Sequence, residues 1–251
     1  DMFQCVLSQR CSSDISGNPF DYYRNLRVTN PSNYLYFYDF EDYQIIGASP
    51  ESLVSVKDGI VTTNPIAGTR PRGNDDEEDQ RLAADLSTDT KEVAEHRMLV
   101  DLGRNDIGRI AQIGTVEVTK YMEVEYFRYV MHLTSIVKGQ LLENLTVLDA
   151  LKATLPAGTV SGAPKIRAMQ RIYELEKEKR GIYAGAIGYL SATGDMDFAI
   201  AIRTMVVKNG KAYVQAGAGI VYDSVPENEY QETLNKAKAM TKIGECYDSF
   251  N

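Results

Sequence analysis

Two dipeptides that favour tight reversals of the chain, Asp58-Gly59 and Asn209-Gly210, each separate two stretches rich in β-branched residues. Such dipeptides readily adopt the positive φ angles of a two-residue turn, so each predicts a pair of antiparallel strands. The first hairpin is expected over residues 53–64, and the second turns the chain into KAYVQAGAGI. Because hairpins predominate over regular strand–helix–strand alternation, the sequence predicts an α+β fold of largely antiparallel β-sheets flanked by helices, and not a doubly wound parallel fold.

The other elements are predicted from the spacing of apolar residues. Further strands are expected at 34–40, 43–49, near 115–119, 128–138, 183–191 and 196–207. Helices are expected from about Glu77 to Ala111 and at 146–154, 164–178 and about 226–243, with Pro164 in the first turn of its helix. No internal repeat, low-complexity segment or clear linker interrupts this order, which predicts a single domain over residues 1–251.

Composition excludes several classes of function. The 251 residues carry a net charge of −8 and no basic cluster beyond short pairs, which argues against nucleic-acid binding. No apolar run approaches the roughly 18 residues of a membrane span, and no signal-peptide pattern is present, so no membrane partner is expected. The three cysteines are odd in number and lack a CxxC pair, which predicts free thiols in a reducing cytoplasm. Only two histidines occur, so an imidazole-rich zinc site is excluded.

Two pairs of carboxylates lie three residues apart within predicted helices, Glu92 with Glu95 and Glu229 with Glu232. Residues at this spacing share one helix face, so each pair could point into one cavity. Two such faces would suit Mg²⁺, which favours oxygen ligands and keeps several waters. The alternative is a pair of solvated acidic faces, which the spacing alone favours in a chain with 35 acidic residues.

The stretch QAGAGI (215–220) ends a predicted strand with two glycines one residue apart. Glycines allow backbone N–H groups to approach an anion, whereas the alternative interpretation is a bend in a sheet. The stretch is not a dinucleotide fingerprint, which would need a third glycine at Tyr222. The stretch PIAGTRPRG (65–73) is also rich in glycine, proline and arginine, but it does not fit the phosphate-loop pattern.

Three single residues each have two interpretations. Arg203 lies within the apolar run AIAIRTMVV, where it must either face solvent at an edge, the interpretation favoured by the residue alone, or pair with an anion in a pocket. His132, within YVMHLTS, is by itself better explained as a core histidine hydrogen-bonded to the backbone. Tyr183 is by itself better explained as a packing aromatic with its hydroxyl at the surface.

Eight stretches in this order resemble a known family: GASPESLV, PIAGTRPRG, AEHRMLVDLGRNDIGR, VMHLTS, PAGTVSGAPKIRAM, YAGAIGY, AIRT and QAGAGIVYDSVPENEYQET. From about residue 2 to 243 the chain resembles the chorismate-utilising enzymes, and most closely the anthranilate synthase component I family. The resemblance implies a Mg²⁺-dependent conversion of chorismate and ammonia to anthranilate and pyruvate, the first step of tryptophan biosynthesis. A separate glutamine amidotransferase subunit would supply the ammonia, because the sequence has no glutaminase motif with a catalytic cysteine.

The resemblance also implies roles for individual residues. The implied metal ligands are Glu95 and Glu232. The implied catalytic residues are Glu92, His132, Thr159, Glu229 and Lys236. The implied substrate-binding residues are Gly68, Thr69, Tyr183, Arg203, Gly217, Ala218 and Gly219. In this scheme Glu92 or Glu229 protonates the C4 hydroxyl of chorismate, His132 serves the loss of pyruvate, and Lys236 lies near the ring carboxylate and its metal.

Two positions distinguish the branches of the family. Relatives that aminate chorismate at C4 carry a lysine nucleophile where this chain has Ala67, so C2 is expected to stay open to ammonia. Relatives that hydroxylate chorismate carry a lysine base where this chain has Gln4, and an amide cannot act as that base. Both positions therefore favour anthranilate as the product.

The chain begins inside the region that resembles the family's catalytic part, so we expect it to be a catalytic domain that lacks the N-terminal segment with the regulatory tryptophan site. Three alternatives stay open. The chain could be an aminodeoxychorismate synthase, an aminodeoxyisochorismate synthase that stops before pyruvate loss, or a chorismate-binding module without turnover.

Overall fold

The computed structural model describes residues 1–128 and 130–241. The strands in this part of the chain are β1 (Gln4–Asp14), β2 (Tyr34–Asp39), β3 (Tyr43–Ser49), β4 (Ser52–Lys57), β5 (Ile60–Thr63), β6 (Ile66–Pro71), β7 (Glu117–Tyr126), β8 (Val130–Gln140), β9 (Gly162–Ala163), β10 (Ala186–Leu190), β11 (Met196–Ile200), β12 (Thr204–Lys208) and β13 (Lys211–Ile220). The helices are α1 (Pro19–Thr29), α2 (Asp76–Thr88), α3 (Thr90–Gly108), α4 (Val147–Thr154), α5 (Lys165–Leu175) and α6 (Pro226–Thr241), with a 3-10 turn at Gly158–Val160. The predicted helix end at Ile243 and Cys246 lie outside the described residues.

The chain divides into two compact units that interleave along the sequence. The first unit comprises Asp1–Glu51, Pro156–Ile187 and the segment from Ala199 onward. The second unit comprises Ser52–Leu155 and Gly188–Phe198. This division does not decide whether residues 1–251 act as one catalytic domain, which stays a prediction.

The first unit is built on a six-stranded sheet with the order β2-β3-β12-β13-β1-β9. Its pairings are all antiparallel, and β1 pairs with β13 continuously from Cys5 opposite Ile220 to Asp14 opposite Lys211. Helices α1 and α6 pack on this sheet, and their apolar residues join a buried core with the strands. Leu26 of α1 and Met240 of α6 are almost fully buried in this core, together with Met205 and Val214 of the sheet.

The second unit is built on a seven-stranded sheet with the order β10-β11-β4-β5-β8-β6, in which β7 also pairs with β8. The hairpin β4–β5 and the pairings of β8 with β5, β6 and β7 are antiparallel. Helix α3 comes close to β8 because Gly139 has no side chain, and a Cβ there would lie 2.8 Å from Cγ2 of Ile107 on α3. The predicted α+β class with antiparallel sheets and flanking helices is confirmed.

Several predicted elements have different boundaries in the structure. The helical stretch 77–111 is divided into α2 and α3, the strand near 115–119 is extended to Tyr126 as β7, and the strand at 183–191 is shortened to β10, which leaves Tyr183 outside it. The stretch 196–207 forms two strands that belong to different sheets, because the chain bends at 201–203 and Arg203 adopts a left-handed φ of 49°. Arg203 therefore lies between strands and not inside one. Pro164 is the N-cap of α5 with an extended backbone, so it precedes the first turn.

The structure adds two N-terminal elements, strand β1 and helix α1. Helix α1 begins with Pro19 at its first position, and the side chain of Asn18 caps it by accepting the N–H of Phe20 at 3.0 Å. Among the described residues, the helices are all too short or too polar to cross a membrane.

Candidate active site

The residues that the sequence singles out fall into both units. The second unit carries Gly68, Thr69, Glu92, Glu95 and His132. The first unit carries Thr159, Tyr183, Arg203, Gly217, Ala218, Gly219, Glu229, Glu232 and Lys236. Each set is described by itself below.

A β-bulge places Gly68 and Thr69 beside His132. The register between β6 and β8 shifts between Ala67 and Arg70, so that Gly68 and Thr69 together face one residue of β8. Gly68 adopts a φ of 69°, the left-handed conformation that a bulge of this kind favours. The Nδ1 atom of His132 lies 2.8 Å from the carbonyl oxygen of Gly68 and 3.1 Å from Oγ1 of Thr69.

The carbonyl of Gly68 fixes the protonation of the imidazole. A carbonyl oxygen only accepts, so Nδ1 of His132 carries the proton and Nε2 keeps its lone pair when the ring is neutral. Burial lowers the pKa of His132, and the bond to Gly68 raises it by a smaller amount. His132 is therefore a neutral imidazole at pH 7 whose Nε2 can accept a proton.

The bulge also brings the strand close to the first carboxylate of α3. A Cβ at Gly68 would lie 2.9 Å from Cδ1 of Leu86 and 3.2 Å from Oε2 of Glu92. The carboxylate of Glu92 thus rests against the backbone of Gly68, and only glycine leaves room for it. In the second unit, Gly68, Thr69, Glu92 and His132 form one cluster.

Asp89 and Arg70 set the position of Glu92. The carboxylate of Asp89 caps α3 by accepting the N–H groups of Lys91 and Glu92, at 2.9 and 3.1 Å. The other oxygen of Asp89 accepts a hydrogen bond from Arg70 at 2.8 Å. Arg70 also donates to its neighbour Thr69 at the carbonyl oxygen, 3.1 Å away, which ties the bulge to the start of the helix.

Glu92 and Glu95 interact electrostatically, as their spacing on α3 predicts. Burial raises the pKa of Glu92, and the negative charges of Glu95 and Asp89 raise it further, whereas Arg70 lowers it. Within residues 1–128 and 130–241, His, Cys, Asp and Glu side chains form no group of three or more that could hold a metal ion. A bound cation here would therefore need ligands beyond this pair, such as water or a substrate.

In the first unit, strand β13 and helix α6 carry a second set of predicted residues. Nζ of Lys236 donates to the carbonyl oxygen of Gly217 at 3.2 Å and forms an ion pair with Glu232 at 2.6 Å. Glu229 accepts a hydrogen bond from Ser224 at 2.7 Å. The structure thus joins Lys236, Glu232 and Gly217 into one group, with Glu229 one helical turn before Glu232.

Tyr183 and Arg203 are both half-buried. Burial raises the pKa of Tyr183 to about 12, and a Cβ at Gly217 would lie 2.7 Å from its hydroxyl oxygen. Burial lowers the pKa of Arg203, and the negative charge of Glu51 opposes that effect. Both residues are half-buried, which favours the pocket interpretation of Arg203 over a fully solvent-facing one and places the Tyr183 hydroxyl against the backbone of β13.

Glu51 is a candidate site residue that the sequence reasoning missed. Its Oε2 accepts a hydrogen bond from Oγ1 of Thr159 at 3.0 Å. Burial raises the pKa of Glu51, and Thr159, Lys236 and Arg203 lower it in that order. The sequence feature that could have identified Glu51 is its position in GASPESLV, directly after Pro50 at the junction of two apolar strands.

The two positions that distinguish the family branches lie as follows. Ala67 pairs with Leu133 in the sheet, immediately before the bulge. Gln4 is buried at the start of β1, and a Cβ at Gly219 would lie 2.6 Å from its Nε2 atom. Gln4 thus packs against the glycine-rich end of β13.

Comparison with known proteins explains this combination of residues. Residues 1–242 match the model of the chorismate binding enzyme family. The chain is 65% identical to anthranilate synthase component 1 of Lactococcus lactis over 98% of this chain and 54% of that protein. It is 58% identical to anthranilate synthase component 1 of Pseudomonas aeruginosa over 96% of this chain and 49% of that protein.

Two solved structures share the fold. The crystal structure of anthranilate synthase component I from Streptococcus pneumoniae superposes with a TM-score of 0.90 at 79% identity, and covers 96% of this chain and 53% of that chain. The menaquinone-specific isochorismate synthase of Escherichia coli superposes with a TM-score of 0.87 at 28% identity over 96% of this chain and 56% of that chain. The chain spans about half the length of the curated relatives it matches. The resemblance seen in the sequence is confirmed, and the chain belongs to the chorismate binding enzyme family.

Proposed function

We propose that this chain carries the chemistry of anthranilate synthase, the Mg²⁺-dependent conversion of chorismate and ammonia to anthranilate and pyruvate. The observation that carries the proposal is Glu51, a half-buried carboxyl of raised pKa that interacts with the charges of Arg203 and Lys236 and accepts a hydrogen bond from Thr159. A proton donor close to two cations suits a dianionic substrate whose hydroxyl must leave. The relatives named anthranilate synthase support the same reaction.

We assign binding of one substrate carboxylate to the first unit. Arg203 and the backbone from Gly217 to Gly219 offer a cation and N–H groups, both of which favour a carboxylate. Tyr183, whose hydroxyl lies against Gly217, is protonated at pH 7 and can donate to the same group. Lys236 lies beside Gly217 and supplies a further positive charge for the dianion.

Protonation of the leaving hydroxyl at C4 is assigned to Glu51. Burial raises the pKa of Glu51, which favours its protonated form, and the departing oxygen needs a proton. The sequence prediction gave this role to Glu92 or Glu229. The resemblance also implies that Glu92 and Glu229 hold metal-bound water, and we propose that this is their role, although Glu92 too has a raised pKa.

A Mg²⁺ ion fits the carboxylates that the chain offers. The mutual repulsion of Glu92 and Glu95 is relieved by a divalent cation, and Mg²⁺ is commonly held by one or two carboxylates plus waters and the substrate. We propose Glu95 and Glu232 as ligands, with the ion pair from Lys236 as the present counter-charge of Glu232. When bound, the ion would withdraw electron density through the ring carboxylate of chorismate.

The later steps use Ala67 and His132. Ala67 has no nucleophile, so ammonia rather than the protein adds at C2 as the C4 hydroxyl departs. In the elimination, Nε2 of His132 accepts the proton from C2 while the C3–O bond breaks, and the side chain leaves as enolpyruvate, which takes up a proton from solvent on its methylene carbon to give pyruvate. The bond from Nδ1 to Gly68 leaves Nε2 free to accept, as this step requires.

We propose that a glutamine amidotransferase subunit supplies the ammonia in the cell, since component 1 in the names of the relatives implies a second component. The buried thiols of Cys5 and Cys11 are compatible with the cytoplasmic location that the sequence predicts. The hydroxylating reaction of the isochorismate synthase neighbour is the second candidate, but Gln4 lacks the base that this reaction needs.

The test is to mix the purified chain with chorismate, Mg²⁺ and an ammonium salt, and to identify the product by fluorescence and mass spectrometry. Anthranilate and pyruvate in equal amounts are expected. Glu95→Gln and Glu232→Gln should abolish the metal-dependent rate, whereas Glu174→Gln, which alters an exposed ion pair on α5, should not. Aminodeoxychorismate, isochorismate or a covalent chorismate adduct as the main product, or full activity in excess chelator, would overturn the proposal.

A further inference from the structure

We propose that the largely buried ion pair between Glu176 and Arg180 holds the carboxylate-binding part of the first unit in position. The two residues close the turn that follows α5 and do not belong to the groups assigned to the chemistry. Their side chains are only 9% and 16% exposed. This inference rests on the proposed function for the identity of its substrate. The effect of Arg180 on Tyr183 can be tested without any substrate.

Arg180 holds three separate segments together. Its guanidinium donates to both oxygens of Glu176, from Nε at 2.8 Å and from Nη2 at 2.6 Å. It also donates to the carbonyl oxygen of Val160 at 2.6 Å and to that of Val6 at 2.7 Å. The same group lies over the ring of Tyr183, 5.5 Å from its centroid.

Glu176 holds a second point on the same strand as Val6. Its Oε1 accepts the backbone N–H of Ser8 at 2.9 Å and the hydroxyl of Ser8 at 2.8 Å. The hydroxyl oxygen of Ser8 in turn accepts Nε2 of Gln215 at 2.8 Å. The ion pair is therefore bonded to β1 at two alternate residues and linked to β13 through one side chain.

Each contact lies next to a residue assigned to the substrate. Val160 follows Thr159, and in the β1–β13 register Val6 pairs with Gly219 and Ser8 pairs with Gly217. Tyr183 itself is outside the strands, in a turn that precedes β10, so the sheet ladder does not fix its ring. The contact with Arg180 supplies a restraint that the turn lacks.

The geometry also indicates why arginine occupies this position. A planar guanidinium can bind a carboxylate with two parallel N–H groups and still present donors to other acceptors, whereas an ammonium cannot reproduce this fork. Replacement of a buried ion pair by apolar residues is often neutral for stability, so stability alone gives a weak reason for this pair. The ion pair is better explained by its effect on geometry, because it fixes the orientation of Tyr183 and the position of β1 against β13.

The experiment compares Arg180→Lys with Arg171→Lys, the same change in an exposed ion pair on α5. We expect Arg180→Lys to raise the Kd for chorismate with Mg²⁺, measured by calorimetry, about tenfold or more, because small displacements of binding groups are costly. The corresponding KM should rise more than kcat falls. Arg171→Lys should change neither constant. Ser8→Ala is a milder change in the same hydrogen-bond network and should raise the Kd by a smaller factor. It provides the test if Arg180→Lys does not fold.

A double-mutant cycle separates positioning from general destabilisation. If Arg180 acts through Tyr183, the loss caused by Arg180→Lys should shrink in a Tyr183→Phe background, since coupled residues are non-additive. Additive losses, an unchanged Kd in Arg180→Lys, or an equal effect of Arg171→Lys would overturn the inference.

A ligand-free measurement distinguishes failure of this inference from failure of the proposed function. In ¹³C-tyrosine NMR spectra, the Tyr183 signal, identified by Tyr183→Phe, should shift in Arg180→Lys and stay in place in Arg171→Lys. If wild-type protein does not bind chorismate and yet the signal shifts, the proposed function falls and the positioning role stands. An unmoved signal refutes the positioning role whatever the substrate proves to be.

Discussion

Replacement of Gly68 by alanine should both destabilise the second unit and impair the proposed chemistry. Holding a non-glycine residue at a φ of 69° costs about 1–2 kcal/mol. The new methyl would lie 2.9 Å from Cδ1 of Leu86 and 3.2 Å from Oε2 of Glu92, and overpacking of this kind adds about 1–3 kcal/mol. The expected loss is therefore about 2–5 kcal/mol in the free energy of unfolding.

The chain offers a matched control in Gly210→Ala. Gly210 has a φ of 72°, and a Cβ there would meet nothing within 4 Å. This variant should lose only the backbone contribution of about 1–2 kcal/mol. Urea denaturation monitored by circular dichroism gives both losses, and the difference between them isolates the contacts with Leu86 and Glu92.

Activity provides the second measurement. In Gly68→Ala, the carbonyl of residue 68 should move away from Nδ1 of His132, and Glu92 should move away from the bulge. Both movements should lower the rate of anthranilate formation at temperatures where the protein is still folded. Gly210→Ala should keep the wild-type rate. The reasoning is refuted if both variants lose equal stability, or if Gly68→Ala retains full activity.

Further predictions concern single titratable groups. Glu51→Gln should reduce kcat by about 10²–10⁴-fold, the usual contribution of a general acid, with an unchanged circular dichroism spectrum; a small effect would remove Glu51 from that role. His132→Met should accumulate the aminated, non-aromatic intermediate in chromatograms, and anthranilate at the wild-type rate would contradict the proposed base. Burial lowers the pKa of His96 to about 4, below its ordinary 6.5, so the unfolded chain binds a proton that the folded chain does not. The free energy of unfolding should therefore fall by about 3 kcal/mol between pH 6.5 and 4, and His96→Gln should flatten that part of the profile; an equally steep profile would be inconsistent with this assignment.

Local turn chemistry made the fold class predictable from the sequence. The hairpin at Asp58-Gly59 and the turn at Asn209-Gly210 depend on φ angles that these residues adopt by themselves, and both occur in the structure. The i, i+3 spacing of Glu92 and Glu95 likewise needs only a helix. The break at Arg203 was not predictable from hydrophobicity, because both strands that flank it are apolar and the pattern runs on without interruption.

The site was predictable only in part, because its chemistry depends on contacts between residues distant in sequence. Glu51 acquires its raised pKa from burial and its bond from Thr159, 108 residues away. The tautomer of His132 is set by Gly68, 64 residues earlier in the chain. The family resemblance supplied His132 and Gly68 as residues, but periodicity and composition carry no information about which atoms meet.

The pairing of β1 with β13 has a consequence for the order in which the protein is made. The first strand hydrogen-bonds to a partner about 200 residues later in the sequence. At a synthesis rate of roughly 5–20 residues per second, β1 has to wait roughly 10–40 s before β13 has been translated. The whole of the second unit lies between these two strands in sequence and is translated before β13. During that interval the emerging first unit presents an unpaired strand edge, and this edge is where a nascent chain of this kind most needs a chaperone.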